Sequence, residues 1–356
     1  PVYSIPAAST PRISLVTDSV GSSSLFGGVG TALLFAAQLA NREGATLRVV
    51  TRTEEPAPKN VQQVLDAYGV VLAQEMQFAF ASPERTEEAA GLDLYPNERV
   101  ITTSWWTTAA TLPSVPAESI IYLLQEDERM FYPFGEERLR CEAVLSNRNI
   151  RFVVNTRLLY DHLIASGLEN IRSRGEWFEP SFPPALFHKR KRESDEKRRL
   201  FFYARPNNPR NLFGTGLQLL ERAVNAGILD LEHWDVYLVG NSIPNVALGA
   251  GYLPKRAQGL DWRAYADLIG TIDLGLSLMY TPHPSYPPLD LAASGAVVVT
   301  NKFANKQSLE GYSRNIICAD LEMDSLLAAL KAGIELAADE KTRDQNYRAN
   351  RLGKDW

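Results

Sequence analysis

The sequence predicts an α/β protein made of two doubly wound domains that face a central cleft. Three observations carry this expectation. Short apolar runs alternate with amphipathic stretches in two successive blocks. A Pro-rich and then charged stretch, 179–199, separates the blocks, and each block opens on a strand that runs through a short loop into a helix. Strand–helix alternation implies parallel sheets covered on both faces, with ligands at the carboxyl ends of the strands.

In the first block strands are expected over 13–17, 47–51, 100–104, 120–124 and 152–155, and helices over 31–40, 139–145 and 157–165. Residues 180–199 begin with Pro180, Pro183 and Pro184 and continue as H-K-R-K-R-E-S-D-E-K-R-R, a basic run diluted by Glu193, Asp195 and Glu196. Such a run reads as a solvated linker. The second block has expected strands over 200–204, 236–239, 274–278, 297–300 and 316–318, with helices over 216–225, 262–269, 289–294 and 324–336. The expected domains are therefore 1–178 and 200–338, joined by the linker 179–199. A polar tail, 339–356, is expected to be helical and to pack back toward the first domain.

A chain of 356 residues is long for one core and fits two. The 37 basic and 42 acidic residues leave a formal charge of −5, which argues against nucleic acid as a partner. Cys141 and Cys318 lie far apart in apolar settings and read as buried thiols of a reducing compartment, so a cytoplasmic location is expected. No apolar run reaches the ~18 residues of a membrane span. Peripheral contact with the inner membrane face stays open, as does a homodimer.

Several groups of residues carry possible chemistry. The first strand leads into D-S-V-G-S-S-S-L-F-G-G-V-G, where Gly27 and Gly28 let a backbone approach a ligand and the helix start favours an anion. The dinucleotide fingerprint fits only in part. Leu33 stands where its third Gly belongs and no acid ends the second strand, although Arg52 there keeps an NADP oxidoreductase as an alternative. In the second block Arg205 and Arg210 leave the end of a strand just before a helix; paired guanidinium groups suit a diphosphate leaving group. Gly240 ends a strand where a base or phosphate can pass closely, and the backbone of Gly259 and Leu260 can read a pyrimidine edge.

The stretch M-Y-T-P-H-P-S-Y-P-P-L-D-L-A-A-S-G-A-V-V-V-T, residues 279–300, is the most informative. It reads as a loop bearing His283 and Ser285, then a helix opened by Pro287 and Pro288 and carrying Asp290. The helix start suits a phosphate, and Asp290 one turn in suits sugar hydroxyls. The acidic group Gln125-Glu126-Asp127-Glu128 at a strand end suits acceptor hydroxyls or a general base, and Trp105-Trp106 suits either a sugar face or a core. The four histidines are scattered, no two Asp stand two apart, and neither a nucleophile elbow nor a P-loop is present.

In their order along the chain, the Gly-Gly loop, the strand-end Arg pair and L-D-L-A-A-S-G-A-V-V-V-T resemble a retaining glycosyltransferase of the GT-B architecture, with two Rossmann-like domains. More narrowly, H-P-S-Y-P-P-L-D, T-N-K-F-A-N-K and Q-E-D-E…F-Y-P-F-G resemble the WsaF-type rhamnosyltransferases, which use dTDP-β-L-rhamnose in bacterial surface polysaccharide synthesis. The resemblance implies a glycan acceptor, in some cases lipid-linked, on the first domain and the nucleotide-sugar on the second, with no metal or other cofactor. It implies catalytic roles for Arg205 and Arg210, with Glu126 and Asp127 on the acceptor side. It implies donor contacts from Gly27, Gly28, Gly240, Gly259, Leu260, Ser285, Tyr286 and Asp290, with His283 and Lys302 placed by position only. One departure stands out: the Glu such enzymes carry eight residues before the helix acid is Pro282 here, which leaves the sugar contact unassigned. Another UDP- or dTDP-sugar, a nucleotide-sugar epimerase and a two-lobed sugar-binding protein without catalysis are the alternatives.

Overall fold

The computed structural model describes residues 2–6, 10–21, 25–82, 91–191, 196–249 and 251–356. Part of the small-residue loop (22–24) and part of the charged run (192–195) lie outside the described residues. The chain divides into two compact units, 1–180 with Trp356, and 181–355. The division falls just inside the stretch that reads as a linker.

The first unit holds β1 (Val2–Ser4), β2 (Arg12–Thr17), β3 (Thr46–Thr51), β4 (Gln77–Phe80), β5 (Leu92–Leu94), β6 (Arg99–Thr102), β7 (Ile120–Leu124), β8 (Arg151–Asn155) and β9 (Gly175–Phe178). Seven of these form one parallel sheet in the order β4-β3-β2-β6-β7-β8-β9, and β1 pairs with β5 beside it. The central strands are buried along their whole length because helices cover both faces. One face packs Tyr122, Phe152 and Val154 against Leu145, Leu159 and Leu163. Trp356 ends the chain in this unit, with its ring against Phe178 and Tyr68 and its carbonyl accepting from Gln38 Nε2 at 3.0 Å.

The second unit holds β10 (Arg198–Ala204), β11 (Trp234–Gly240), β12 (Lys255–Gln258), β13 (Leu274–Leu276), β14 (Val297–Asn301) and β15 (Ile316–Ala319). They form one parallel sheet in the order β12-β11-β10-β13-β14-β15. The core joins Leu200, Phe202, Leu274 and Val299 to the helices Phe213–Asn225 and Met323–Ala338. Helix Glu340–Arg348 belongs to this unit and is pinned by Arg343, whose buried guanidinium lies 2.8 Å from Asp273.

Strand order reverses once in each sheet, between β2 and β6 in the first and between β10 and β13 in the second. The carboxyl ends of those strands are where a doubly wound sheet leaves a crevice.

Candidate functional site

In the second unit the crevice is bordered by the loops that leave β10 and β13. Beyond β13 the chain is fixed chiefly by one buried amide, Asn301 at the end of β14. Its Oδ1 accepts from Met279 N at 2.7 Å, and its Nδ2 donates to the carbonyls of Met279 and Lys302, each at 3.0 Å. Tyr280 N donates to the Arg210 carbonyl at 2.7 Å, which ties this loop to the one following β10. Lys306, fully buried, reaches the His283 carbonyl at 3.5 Å.

His283 N donates to Thr281 Oγ1 at 3.0 Å, and His283 Nδ1 accepts from Ser285 N at 2.9 Å. That acceptor role places the ring proton on Nε2, which is buried without a hydrogen-bond partner. Burial, reinforced by the Lys306 charge, pushes the imidazole down to about 3, so it is neutral at physiological pH. Ser285 adopts φ 69° and ψ 147°, a conformation costly for any residue but glycine, and it opens helix Tyr286–Ala293. Pro287 and Pro288 carry no N–H, and the Ser285 N–H is given to His283. The helix therefore offers fewer first-turn donors than its position suggests.

Asp290, one turn in, is buried, and its Oδ2 accepts from the Tyr265 hydroxyl at 3.0 Å. Burial raises its carboxyl to about 7 against the opposing effect of that hydrogen bond. Neither Tyr265 nor Asn301 stands out in the sequence. Both act across long stretches of chain, and only the T-N-K-F-A-N-K motif hinted at Asn301.

The remaining expected donor residues fall as follows. Arg205 is exposed just beyond β10, and Arg210 lies in the turn that follows, where Asn208 Oδ1 accepts its N–H at 3.2 Å. Gly240 has a reason independent of any ligand: a Cβ there would lie 1.9 Å from the Ala204 carbonyl of the neighbouring strand. Gly259 has φ 63° and open space around it, in the turn with half-buried Leu260 that precedes helix Trp262–Ile269; Asp261 caps that helix through Ala264 N at 2.8 Å. Lys302 forms an ion pair with Asp320 at 3.0 Å.

In the first unit the helix does not start afresh at Gly28. A π-helical turn, Leu25–Val29, runs directly into helix Gly30–Glu43, and Gly27 takes φ 66° within it. Gly28 is held by Gln125, whose Nε2 donates to its carbonyl at 2.6 Å while Asn155 Nδ2 donates to Gln125 Oε1 at 3.1 Å.

The acidic group after β7 splits by role. Glu126 is half-buried and accepts from Asp127 N at 3.0 Å. Asp127 is buried; its carboxylate takes Arg129 Nε at 2.8 Å and Nη2 at 2.7 Å, with His162 at 3.4 Å, and falls to about 2 under these partners despite its burial. It holds the turn that follows β7 together instead of facing an open surface. Glu128, fully buried, accepts from Trp105 N at 2.7 Å, and burial lifts it to about 8.

Solved structures of the same architecture cover nearly the whole chain. Alr3699/HepE of Anabaena, in complex with UDP and glucose, matches with a TM-score of 0.65 at 14% identity over 95% of this chain and 93% of that one. WaaG, a glycosyltransferase involved in lipopolysaccharide biosynthesis, gives 0.65 at 12% over 96% of each chain. Sucrose-phosphate synthase of Thermosynechococcus elongatus gives 0.63 at 13% over 95% and 93%. At these identities the likeness is one of fold. Two parallel α/β units of this topology make up the GT-B fold.

The chain belongs to the WsaF family: residues 12–157 match the WsaF N-terminal domain and residues 198–331 the WsaF C-terminal domain. It is also 30% identical over 240 residues to the O-antigen biosynthesis protein RfbC of Myxococcus xanthus. That match takes in 65% of this chain but only 18% of the longer protein.

Proposed function

We propose that this glycosyltransferase moves L-rhamnose from dTDP-β-L-rhamnose to a growing bacterial surface glycan, with retention at the anomeric carbon. The observation that carries the nucleotide-sugar reading is the arrangement of residues 281–290. A strained Ser285 turns the chain into a helix whose buried acid, held by Tyr265, is set one turn from the phosphate-facing end. Asp290 receives the 3′-hydroxyl of the deoxyribose, the Ser285 hydroxyl and Tyr286 meet the diphosphate at the helix start, and Arg205 and Arg210 take up charge as it leaves. Gly259 and Leu260 meet the base, and His283 and Lys302 lie toward the sugar. HepE, of the same fold, is described with UDP and glucose bound. The RfbC relative is named for O-antigen biosynthesis, which supports a surface-glycan acceptor. Among the described residues no helix is long and apolar enough to cross a membrane.

The C1–O bond to the diphosphate breaks, the acceptor oxygen bonds to C1 on the same face, and the acceptor proton passes to the departing phosphate oxygen. The reaction needs no metal in this reading, so EDTA leaves the rate unchanged. Incubation with dTDP-β-L-rhamnose and a rhamnoside acceptor, followed by NMR, is expected to show dTDP release and a β-linked product. An α-linked product would overturn retention, and transfer only from a UDP-sugar would overturn the donor.

A further inference from the structure

The crevice of the first unit carries a second constellation. Asp18 follows β2, Arg52 follows β3, and Trp106 lies in the first turn of the helix that follows β6, Trp105–Thr111, so three strand ends meet where the strand order reverses. The backbone there is fixed: the Asp18 carbonyl accepts from Arg52 N at 3.1 Å and Thr53 N at 3.0 Å, and Thr103 Oγ1 bridges to the Val16 carbonyl at 3.3 Å. Asp18 Oδ2 accepts the Trp106 indole N–H, and Asp18 Oδ1 faces Arg52 Nη1 at 3.4 Å. The Trp106 ring lies 6.3 Å from Phe131, tilted by 49°, and edge-on to Trp105 at 6.1 Å.

None of these groups is sealed in. The side chains of Asp18 and Arg52 are 33% and 20% exposed, and Trp106 and Phe131 are half-buried. A carboxylate has lone pairs beyond its two donors, and a guanidinium touching it through one N–H keeps others to give. Set beside tilted aromatic rings, the pair matches a neutral polyol with an apolar C–H face. The carboxylate disfavours a phosphate or other anion at the same point.

We propose that Asp18, Arg52 and Trp106 form a sugar subsite that takes the terminal residue of the glycan acceptor. Asp18 accepts from adjacent hydroxyls, Arg52 donates to them, and Trp106 packs against the ring. This assignment rests on the glycosyltransferase reading and moves the acceptor contact from Asp127, which is spent on Arg129, to the strand ends at the switch point.

The test is saturation-transfer NMR with methyl α-L-rhamnopyranoside on the full chain, paired with a dTDP thermal shift on the same samples. Wild type is expected to saturate the ring C–H protons of the rhamnoside. Trp106→Ala and Arg52→Ala should bind it roughly tenfold more weakly, with the dTDP shift intact. Trp106→Phe, which keeps a ring but loses the N–H to Asp18, should fall between and guards against misfolding. Absent saturation in wild type, or equal saturation in wild type and Trp106→Ala, would overturn the subsite. Loss of the dTDP shift in wild type alongside Trp106-dependent rhamnoside binding would instead overturn the donor reading and leave the subsite standing.

Discussion

Asp290 and Glu128 are both buried carboxyls lifted far above their ordinary range, one in each unit, and they make opposite predictions about ligand and fold. Asp290 titrates near 7 without ligand. If the 3′-hydroxyl of the deoxyribose bonds to its ionised form, a proton must leave below that pH before nucleotide binds. The Kd for dTDP should therefore fall as pH rises through about 7, and calorimetry on Asp290→Asn should show a flat and weaker profile. A pH-independent Kd in wild type would remove Asp290 from the ribose. Glu128 keeps its proton in the folded chain to about 8 but loses it near 4.5 when unfolded. Between those values the folded state binds more protons, so stability is full below about 4.5 and falls as pH rises through about 8. Gln at this position still accepts from Trp105 N without a proton to lose. Glu128→Gln should raise Tm by a few degrees at about pH 8.5 and change it little at about pH 5; an unchanged Tm at both would contradict the buried, neutral Glu128.

Among the elements, glycines show where packing tolerates nothing larger. A Cβ on Gly216, in helix Phe213–Asn225, would lie 2.3 Å from Phe202 Cζ, so the helix can approach β10 only through that residue. Gly216→Ala should cost about 1–3 kcal/mol and lower Tm by roughly 2 °C or more; a neutral change would mean that the ring swings aside. The elements themselves were legible in unequal measure. Strands such as β2, β7 and β14 are buried along their whole length; β7 is an unbroken apolar run and the others are mostly β-branched or apolar, which marks them in the sequence. The outer strands β4, β9 and β12 are half-exposed and polar in part, so no run marks them, and helix Trp105–Thr111 hides in aromatic and Thr residues. At the site, Asp290 and its helix were readable because Pro, acid and Gly turn lie within one short stretch. Tyr265 comes from a different helix and Asn301 from the next strand, and local spacing says nothing of such partners. Gly240 was legible as a close approach but not its cause, since the neighbour is a backbone carbonyl of β10.

The whole chain repeats one device, a parallel sheet with a single reversal of strand order, once in each unit. Each unit has its own core, and each presents polar side chains where its reversal opens the sheet. The buried acid and strained helix start belong to the second unit; the Asp18, Arg52 and Trp106 group belongs to the first. On the proposed donor assignment, the second unit is built for a dTDP-sugar. Its most direct test is thermal unfolding with dTDP, UDP, GDP and NADP, each at about 100 times its expected Kd, where a ligand selective for the folded state adds roughly 2.7 kcal/mol. Stabilisation by dTDP and not by the others is the predicted result. Stabilisation by NADP alone, or by none of the four, would contradict it.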